Sequence, residues 1–276
     1  MEDLLRLRLD IAYDGTDFHG WARQKDGLRT VQQTIEDALA LVLRHDAKLT
    51  VAGRTDAGVH ATGQVAHVDI LRDSLNQRSL DGEAGKLVRR LAKLLPEDVR
   101  VLDASEAPPL FDARFSALIR TYVYRVTTHP AGALPTRARD TAIWGKPIDI
   151  ERAQACADLM LGLNNFAAFC RPKEHATTIR DVHAFTWSEP EPLLYEARIT
   201  ADAFCWNMVR ALVATCLTVA DGRRELWWPE GLLQMTERAP EVPLAQAKGL
   251  TLVGVEYPPV ELLGQRAEQT RAMREM

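Results

Sequence analysis

The chain has 276 residues, of which 46% are hydrophobic and 26% are charged. These proportions are those of folded globular proteins, so they exclude a chain that is disordered throughout. The 34 basic and 38 acidic side chains give a formal net charge of −4, which argues against indiscriminate binding of polyanions but not against a local basic groove. No apolar run approaches the ~20 residues of a membrane-spanning helix, and the acidic start of the sequence is unlike a signal peptide. We therefore expect a soluble, cytoplasmic protein.

The four cysteines do not form a closely spaced pair. They are Cys156, Cys170, Cys205 and Cys216. This spacing is untypical of a zinc ribbon or of a disulfide framework, so we expect reduced thiols.

The first half of the chain predicts the element order β-α-β-β-α-β. Residues 4–13 alternate strictly between apolar and polar types, which is typical of a half-buried strand. Thr30 fits the N-cap of a capping box, and apolar residues at helical spacing follow it as far as Val42. The other predicted elements are strands at 48–52, 64–70 and 99–104 and a helix at 84–95.

The second half predicts the same order with one additional helix. The predicted strands are 115–128, 177–187, 193–202 and 250–256, and the predicted helices are 149–162, 207–220 and the additional 228–238. Two ferredoxin-like units with antiparallel sheets, and hence an α+β fold, fit this order. We assign residues 1–107 to the first unit and 108–258 to the second. Residues 259–276 are polar and charged, and we expect them to form a flexible tail.

One turn between two predicted strands carries a pair of opposite charges. Residues 52–60 read AGRTDAGVH, so Arg54 and Asp56 are flanked by Gly53 and Gly58. Glycines on a tight turn allow a ligand to approach the backbone closely. Taken alone, the segment is better explained as an Asp–Gly turn with a solvated arginine.

Further segments accompany this turn in chain order. They are residues 11–21 (IAYDGTDFHGW), 62–65 (TGQV), 111–116 (FDARFS), 208–210 (MVR) and 249–252 (GLTL). With the 52–60 segment they resemble the tRNA pseudouridine synthase A family, over about residues 5–258. The resemblance implies a pseudouridine synthase fold in which the two units form a central cleft. It also implies isomerisation of uridine to pseudouridine at positions 38, 39 and 40 of the tRNA anticodon stem-loop, by a homodimer without cofactor or metal.

The resemblance assigns catalytic roles to three residues. Asp56 matches the essential aspartate, and Arg210 matches the arginine that pairs with it. Tyr122 matches the active-site tyrosine, which can stack on the base and move a proton. Tyr124 lies on the same face of the predicted strand, so the choice of the tyrosine that faces the base stays open between the two.

Substrate contacts are also carried over from the family. Arg54 matches the arginine that helps to displace the target base from the RNA stack, and Leu252 matches an apolar residue that packs near the base together with Tyr122. The residues expected to contact RNA are Arg23, Gln24, Arg54 and Arg120. Residues 21–24 read WARQ where many members have Trp-Gln-x-Gln, which affects the first two of these contacts.

Two other classes of function compete with the isomerase. The first is a non-catalytic RNA-binding protein, which would have no need for an aspartate–arginine pair. The second is a metal-dependent phosphoesterase, for which His60, His67 and Asp69 are the best candidate ligands, although they lack the compact spacing of known metal motifs. Residues 227–229 (WWP) are either an aromatic platform for RNA or, more simply, the start of a helix with proline near its first position.

Overall fold

The computed structural model describes residues 3–25, 27–171 and 177–271. The chain divides into two compact units, of which the first contains Met1–Leu118 and Leu252–Arg271 and the second contains Ile119–Thr251. The sequence predicts residues 108–118 in the second unit, but they lie in the first. Both units combine helices with mainly antiparallel strands, so the α+β class is confirmed.

The first unit contains the N-terminal half of the elements and the C-terminal end of the described chain. Its elements are β1 (Leu4–Tyr13), α1 (Val31–Leu43), β2 (Thr50–Val51), β3 (His60–Leu71), α2 (Lys86–Leu91), β4 (Val99–Glu106), most of β10 (Leu250–Glu256) and α6 (Leu263–Arg271). The strands follow the spatial order β4-β1-β3-β10, and β2 also pairs with β3. The β1/β3, β1/β4 and β2/β3 pairs are antiparallel.

Sequence periodicity accounts for the central strand and the first helix of this unit. Every second residue of β1 from Leu5 to Tyr13 is buried, as the alternating pattern predicts. Helix α1 begins after Thr30, whose side chain accepts a hydrogen bond from the backbone N–H of Gln33. It ends at Leu43, and the next residue, Arg44, caps the helix in a left-handed conformation with φ of 62°.

The second unit is built around four antiparallel strands. Its elements are β5 (Ile119–Thr127), β6 (Ala142–Ile143), α3 (Ile150–Asp158), β7 (Gly162–Asn165), β8 (Ile179–Glu191), β9 (Leu194–Ala201), α4 (Met208–Ala220), α5 (Trp228–Leu233) and the first residues of β10. The strands follow the order β5-β9-β8-β7. The two-residue strand β6 is parallel to β5, which the prediction of wholly antiparallel sheets did not include.

Helix α3 is shorter than predicted because the chain changes direction at Gly162. The sequence predicted a helix over 149–162, whereas α3 ends at Asp158. Gly162 has a φ of 82°, which residues with a side chain rarely adopt, and residues 162–165 pair with β8. Helices α2 and α5 are likewise shorter than the predicted 84–95 and 228–238.

The segment expected to be a flexible tail is largely ordered. Helix α6 occupies Leu263–Arg271, and its Leu263 is buried in a cluster with Val65 and Phe111. Ser116 donates a hydrogen bond from its hydroxyl to the Leu263 carbonyl at 3.1 Å. The apolar residues that anchor this short helix are too few to give a clear periodic signal in a polar sequence. Residues 272–276 lie outside the described part of the chain.

The expectation that all cysteines are reduced thiols is wrong for one pair. Cys170 and Cys205, whose Cα atoms are 5.8 Å apart, form a disulfide in the second unit. Their separation of 35 residues gave no local signal, because the fold alone brings them together. Cys156 and Cys216 are free and buried. Within the described residues, no helix has both the length and the apolar character needed to span a membrane.

Gly63 in β3 is required by the packing of the first unit. A Cβ atom at this position would lie 2.2 Å from the carbonyl oxygen of Val253 in β10. We predict that Gly63→Ala lowers the free energy of unfolding by about 3 kcal/mol, at the upper end of the cost of overpacking, since backbone cannot move aside as a side chain can. Urea denaturation measures the change. Gly254→Ala is the matched control in β10, because a Cβ there meets no atom within 4 Å, and equal losses in the two variants would contradict the prediction.

Candidate active site

Asp56 lies on a turn in the first unit that joins β2 to β3. The backbone N–H of Val59 donates to the Asp56 carbonyl at 3.1 Å, which closes the turn. Gly58 has a φ of 76°, a conformation for which glycine is suited. The Asp56 residue is half-buried and Arg54 is exposed. The turn thus presents a carboxylate at the edge of the solvent, with an arginine beside it that a ligand can reach.

A second loop, residues 14–21, lies directly against this turn. The backbone N–H of Trp21 donates to the Thr55 carbonyl at 3.0 Å. Added Cβ atoms at the two glycines of the loop would lie far too close to the turn, at 2.9 Å from the Thr55 oxygen for Gly20 and at 2.0 Å from the Val59 oxygen for Gly15. Both glycines are therefore needed for the backbones to approach each other, which explains why the 11–21 segment accompanies the Asp56 turn.

Three buried polar side chains hold the turn from the side of the sheet. The hydroxyls of Tyr13 and Thr55 lie 2.7 Å apart and share a hydrogen bond. The side-chain amide of Gln64 donates to the Gly53 carbonyl at 2.7 Å and to the Tyr13 hydroxyl at 3.2 Å. Sequence reasoning did not single out any of these roles. The available signal was a glutamine inside the TGQV segment, at a strand position where an apolar residue is usual.

The two candidate tyrosines lie on β5 in the second unit and differ in their surroundings. Tyr124 is fully buried, and its hydroxyl donates to the Gln246 carbonyl at 3.0 Å. Burial raises the pKa of the Tyr124 hydroxyl, against the smaller lowering effects of the nearby Arg210 charge and the Gln246 bond. Tyr122 is also buried, and its ring makes an edge contact with Phe204, with the ring centres 5.2 Å apart. The hydroxyl of Tyr124 is thus committed to a structural bond.

Arg210 lies in the first turn of α4, as the sequence predicts. Its Nε donates to the Ala245 carbonyl at 2.7 Å, and the backbone N–H of Ala245 donates to the Arg210 carbonyl at 3.2 Å. The helix begins after Asn207, which has a φ of 70°. The Nε bond holds the Arg210 guanidinium against the Ala245 carbonyl within the second unit.

The remaining predicted contacts differ in their exposure. Leu252 is fully buried in β10. Arg120 is also buried, and its guanidinium donates to the Asp202 carbonyl at 2.8 Å. A buried arginine held in this way is poorly placed to bind a phosphate, which counts against the predicted RNA contact of Arg120. Arg23 and Gln24 are exposed.

The residues considered as metal ligands make other contacts. Nδ1 of His67 accepts from the Ala113 N–H at 3.0 Å, and Nδ1 of His60 accepts from the Gly15 N–H at 3.0 Å. Asp69 accepts two hydrogen bonds from Arg6, which lower the pKa of the Asp69 carboxyl. In residues 3–25, 27–171 and 177–271, no three His, Cys, Asp or Glu side chains are grouped as a metal site.

A family model and the curated relatives of this chain agree on one family. A family model described as tRNA pseudouridine synthase matches residues 11–116 and 156–258. A Corynebacterium glutamicum protein named tRNA pseudouridine synthase A is 59% identical, and a Mycobacterium leprae protein of the same name is 50% identical, with 98% of this chain and 96% of each relative covered. A solved H/ACA ribonucleoprotein bound to a substrate RNA covers 95% of this chain and 61% of its own at 11% identity, but its TM-score of 0.35 is too low to support an argument.

The matched ranges include the Asp56 turn, the loop against it and the start of α4. They define the class of the protein as a pseudouridine synthase, which is an isomerase. The chain belongs to the tRNA pseudouridine synthase family, and it converts uridine to pseudouridine in tRNA.

The buried imidazole of His67 predicts a pH-dependent stability. Burial lowers the pKa of His67, and the neighbouring Arg6 charge lowers it further. Below the ordinary histidine pKa of about 6.5, the unfolded chain binds a proton that the folded His67 excludes. This contribution to stability is therefore present above about pH 6.5 and declines as the pH falls toward the lowered folded-state pKa, by at most about 1.4 kcal/mol per pH unit.

Urea denaturation between pH 5 and pH 8 checks this expectation. His67→Gln keeps a side-chain oxygen that can accept from Ala113 but does not titrate. The variant should lose less stability than the natural protein as the pH falls. Parallel curves for the two proteins would show that His67 does not contribute.

Proposed function

We propose that the protein isomerises uridine at positions 38, 39 and 40 of the tRNA anticodon stem-loop, with Asp56 as its essential residue. The observation that carries this proposal is the Asp56 turn itself, a half-buried carboxylate fixed by backbone contacts on both sides. A reacting group held this firmly loses little entropy when it meets its substrate. The family resemblance of the turn supports the assignment, and the exposed Arg54 beside it supports a role at the RNA.

The reaction requires one bond to break and another to form on the same nucleotide. The bond from C1′ of the ribose to N1 of uracil breaks, the uracil turns, and C1′ joins C5. The proton on C5 leaves and N1 gains one, so that atoms balance without a cofactor. An ionised aspartate can act at the sugar as a nucleophile or as a base. It must stay charged in a pocket that excludes water, which a permanently charged arginine favours, and we assign this role to Arg210.

Tyr122 is the better candidate for the residue that faces the base. The Tyr124 hydroxyl is bonded to the Gln246 carbonyl and its ring is fully buried, so Tyr124 is suited to packing. The ring of Tyr122 is braced by Phe204. We propose that Tyr122 stacks on the uracil, and that Leu252 limits the pocket by packing from within β10.

The target nucleotide is stacked or paired in the anticodon arm, so it must be flipped out at a cost of a few kcal/mol. We propose that Arg54 fills the space that the base leaves, since it is exposed and lies two residues from Asp56. Arg23 and Gln24 are proposed contacts to the RNA backbone.

The element order supports two ferredoxin-like units. The first unit begins β1-α1-β2-β3-α2-β4, with β1 and β3 as neighbours in the sheet, which is the order expected of such a unit. We propose the same architecture for the second unit. We also propose that the protein acts as a homodimer in the cytoplasm, where tRNA is modified.

We predict that Asp56→Asn abolishes isomerisation while tRNA affinity stays within about tenfold, because phosphate contacts are spread over other residues. Pseudouridine formation in an unmodified tRNA transcript and filter binding of the same RNA measure the two effects. Asp103→Asn is the matched control, since it removes the same charge from an exposed position of β4. Substantial turnover by Asp56→Asn would remove the aspartate from the mechanism, and loss of binding in parallel would favour a role in RNA recognition. A separate experiment treats the wild-type protein with a chelator before it is mixed with RNA. If this abolishes the activity and only Zn²⁺ restores it, the result would favour the phosphoesterase class.

The homodimer leads to a separate prediction. Light scattering at micromolar concentration should give twice the 30.8 kDa mass of the chain. If both subunits contact one tRNA, many phosphates are neutralised and the affinity should fall steeply with salt. A fully active monomer at the assay concentration would refute the dimer without affecting Asp56.

A further inference from the structure

The buried polar group beneath the Asp56 turn has an unusual composition for a protein core. Gln64 has no exposed surface, and Tyr13 and Thr55 are 5% and 7% exposed. Burying an amide or a hydroxyl costs free energy unless its hydrogen bonds are satisfied, whereas an apolar side chain between two strands has no such cost. The structure satisfies these groups through one another and through the turn. Polar side chains at these three buried positions therefore indicate a role in addition to packing the core.

Two hydrogen bonds of this group reach the residues that precede Asp56. Gln64 reaches the carbonyl of Gly53 at 2.7 Å, and Tyr13 reaches the hydroxyl of Thr55 at 2.7 Å. Both attached positions lie within three residues of the carboxylate. The other side of the turn is held by backbone bonds, including the bond from the Gly58 N–H to the Phe18 carbonyl at 3.4 Å. On the flank before Asp56, the side chains add to the backbone bond from the Trp21 N–H to the Thr55 carbonyl.

The sheet is irregular immediately next to Gln64. In the β1/β3 pairing, Ile11 lies opposite Gln64 but Tyr13 lies opposite Ala61, so β3 contains one residue more than β1 over this stretch. Such a bulge changes the direction in which a side chain points. Gly63 lies within the bulge, and its approach to the Val253 carbonyl leaves no room for a Cβ. The position of Gln64 is therefore built into the sheet.

We propose that Gln64 and Tyr13 are positioning residues for the isomerisation, which act through Thr55 and Gly53 to fix the direction of the Asp56 carboxylate. This proposal rests on the proposed role of Asp56. Glycines at 53 and 58 give the turn conformational freedom, and the hydrogen-bonded chain removes that freedom before substrate binds. A displacement of about 1 Å in a reacting group can cost about 100-fold in rate, so loss of the chain should slow the chemical step and spare the binding of RNA.

The test uses three nearly isosteric variants of the full chain, Gln64→Met, Tyr13→Phe and Thr55→Val. Single-turnover rate constants at saturating enzyme measure the chemical step, and the Kd for an unmodified tRNA transcript measures binding. We expect each variant to lower the rate constant by about 10- to 100-fold and to change the Kd by less than about threefold. Because the three residues form one connected unit, the Gln64→Met/Tyr13→Phe double variant should lose less than the product of the single losses.

Matched controls separate positioning from general stability. Gln77→Met removes an amide that donates to the Val42 and Ser74 carbonyls at 2.8 Å, and Tyr257→Phe removes a hydroxyl that donates to the Ala113 carbonyl at 2.7 Å. Both residues lie in the first unit, and the carbonyls that they bond belong to residues outside 52–60. Tyr257 also packs against the cluster of Ala52 and Val65, so its variant shows whether altered packing alone changes the rate. We expect both controls to keep the rate constant within about twofold, as is usual for substitutions outside such a site. Thr55→Ser, which keeps the hydroxyl, should restore most of the rate that Thr55→Val loses.

The outcomes are distinguishable. Rates in the three variants that match the controls, or a Kd that accounts for the whole loss, would overturn the positioning role. If Gln64→Met fails to fold, the comparison of Thr55→Val with Thr55→Ser decides, since equal rates in that pair also overturn it. Turnover by Asp56→Asn would instead refute the proposed role of Asp56, on which the positioning role rests. An inactive Asp56→Asn together with fully active Gln64→Met, Tyr13→Phe and Thr55→Val would refute only the positioning role.

Discussion

The Asp56 turn can be rigid only because a second stretch of backbone lies against it with no side chain between them. The loop of residues 14–21 contributes glycines at the two closest points, and a single added Cβ at Gly15 would lie 2.0 Å from the carbonyl oxygen of Val59. Hydrogen bonds between the two backbones follow from this closeness. Backbone bonds of this kind position a residue without the rotamer freedom of long side chains, which suits a group that must react at one fixed point.

The close approach of the two backbones also explains why the first unit has both glycines and buried polar side chains at this place. The glycines bring the backbones together, and the buried Tyr13, Thr55 and Gln64 then satisfy the polar groups that this approach removes from water. A carbonyl such as that of Gly53 would otherwise carry a desolvation cost of about 1–3 kcal/mol. Satisfied carbonyls therefore serve both stability and the positioning of Asp56, since a turn without them would be both unstable and poorly aligned.

The sequence predicted the long elements well, because their signal is local and repeated. The alternation in β1 and the helical spacing after Thr30 depend on residues that are neighbours in the chain. It did not predict what depends on partners distant in sequence: the Cys170–Cys205 disulfide, or the anchoring of α6 through Leu263. The candidate site shows the same division. Asp56 lies in a continuous motif, whereas the hydrogen bonds of Gln64 join it to Gly53 and Tyr13, which only the fold brings near.

A net charge of −4 places a further demand on a protein that acts on tRNA. Several arginines are already paired with carboxylates in the structure, as Arg6 is with Asp69, Arg29 with Asp98, and Arg125 with Asp140 and Glu196. Pairs of this kind contribute little to non-specific attraction of RNA, because the positive charge is largely compensated nearby. Attraction of RNA then falls to the arginines and lysines that are exposed, among them Arg54, for which we propose a role at the RNA. We expect this distribution of charge to favour RNAs whose shape brings their phosphates to several of these cations at once.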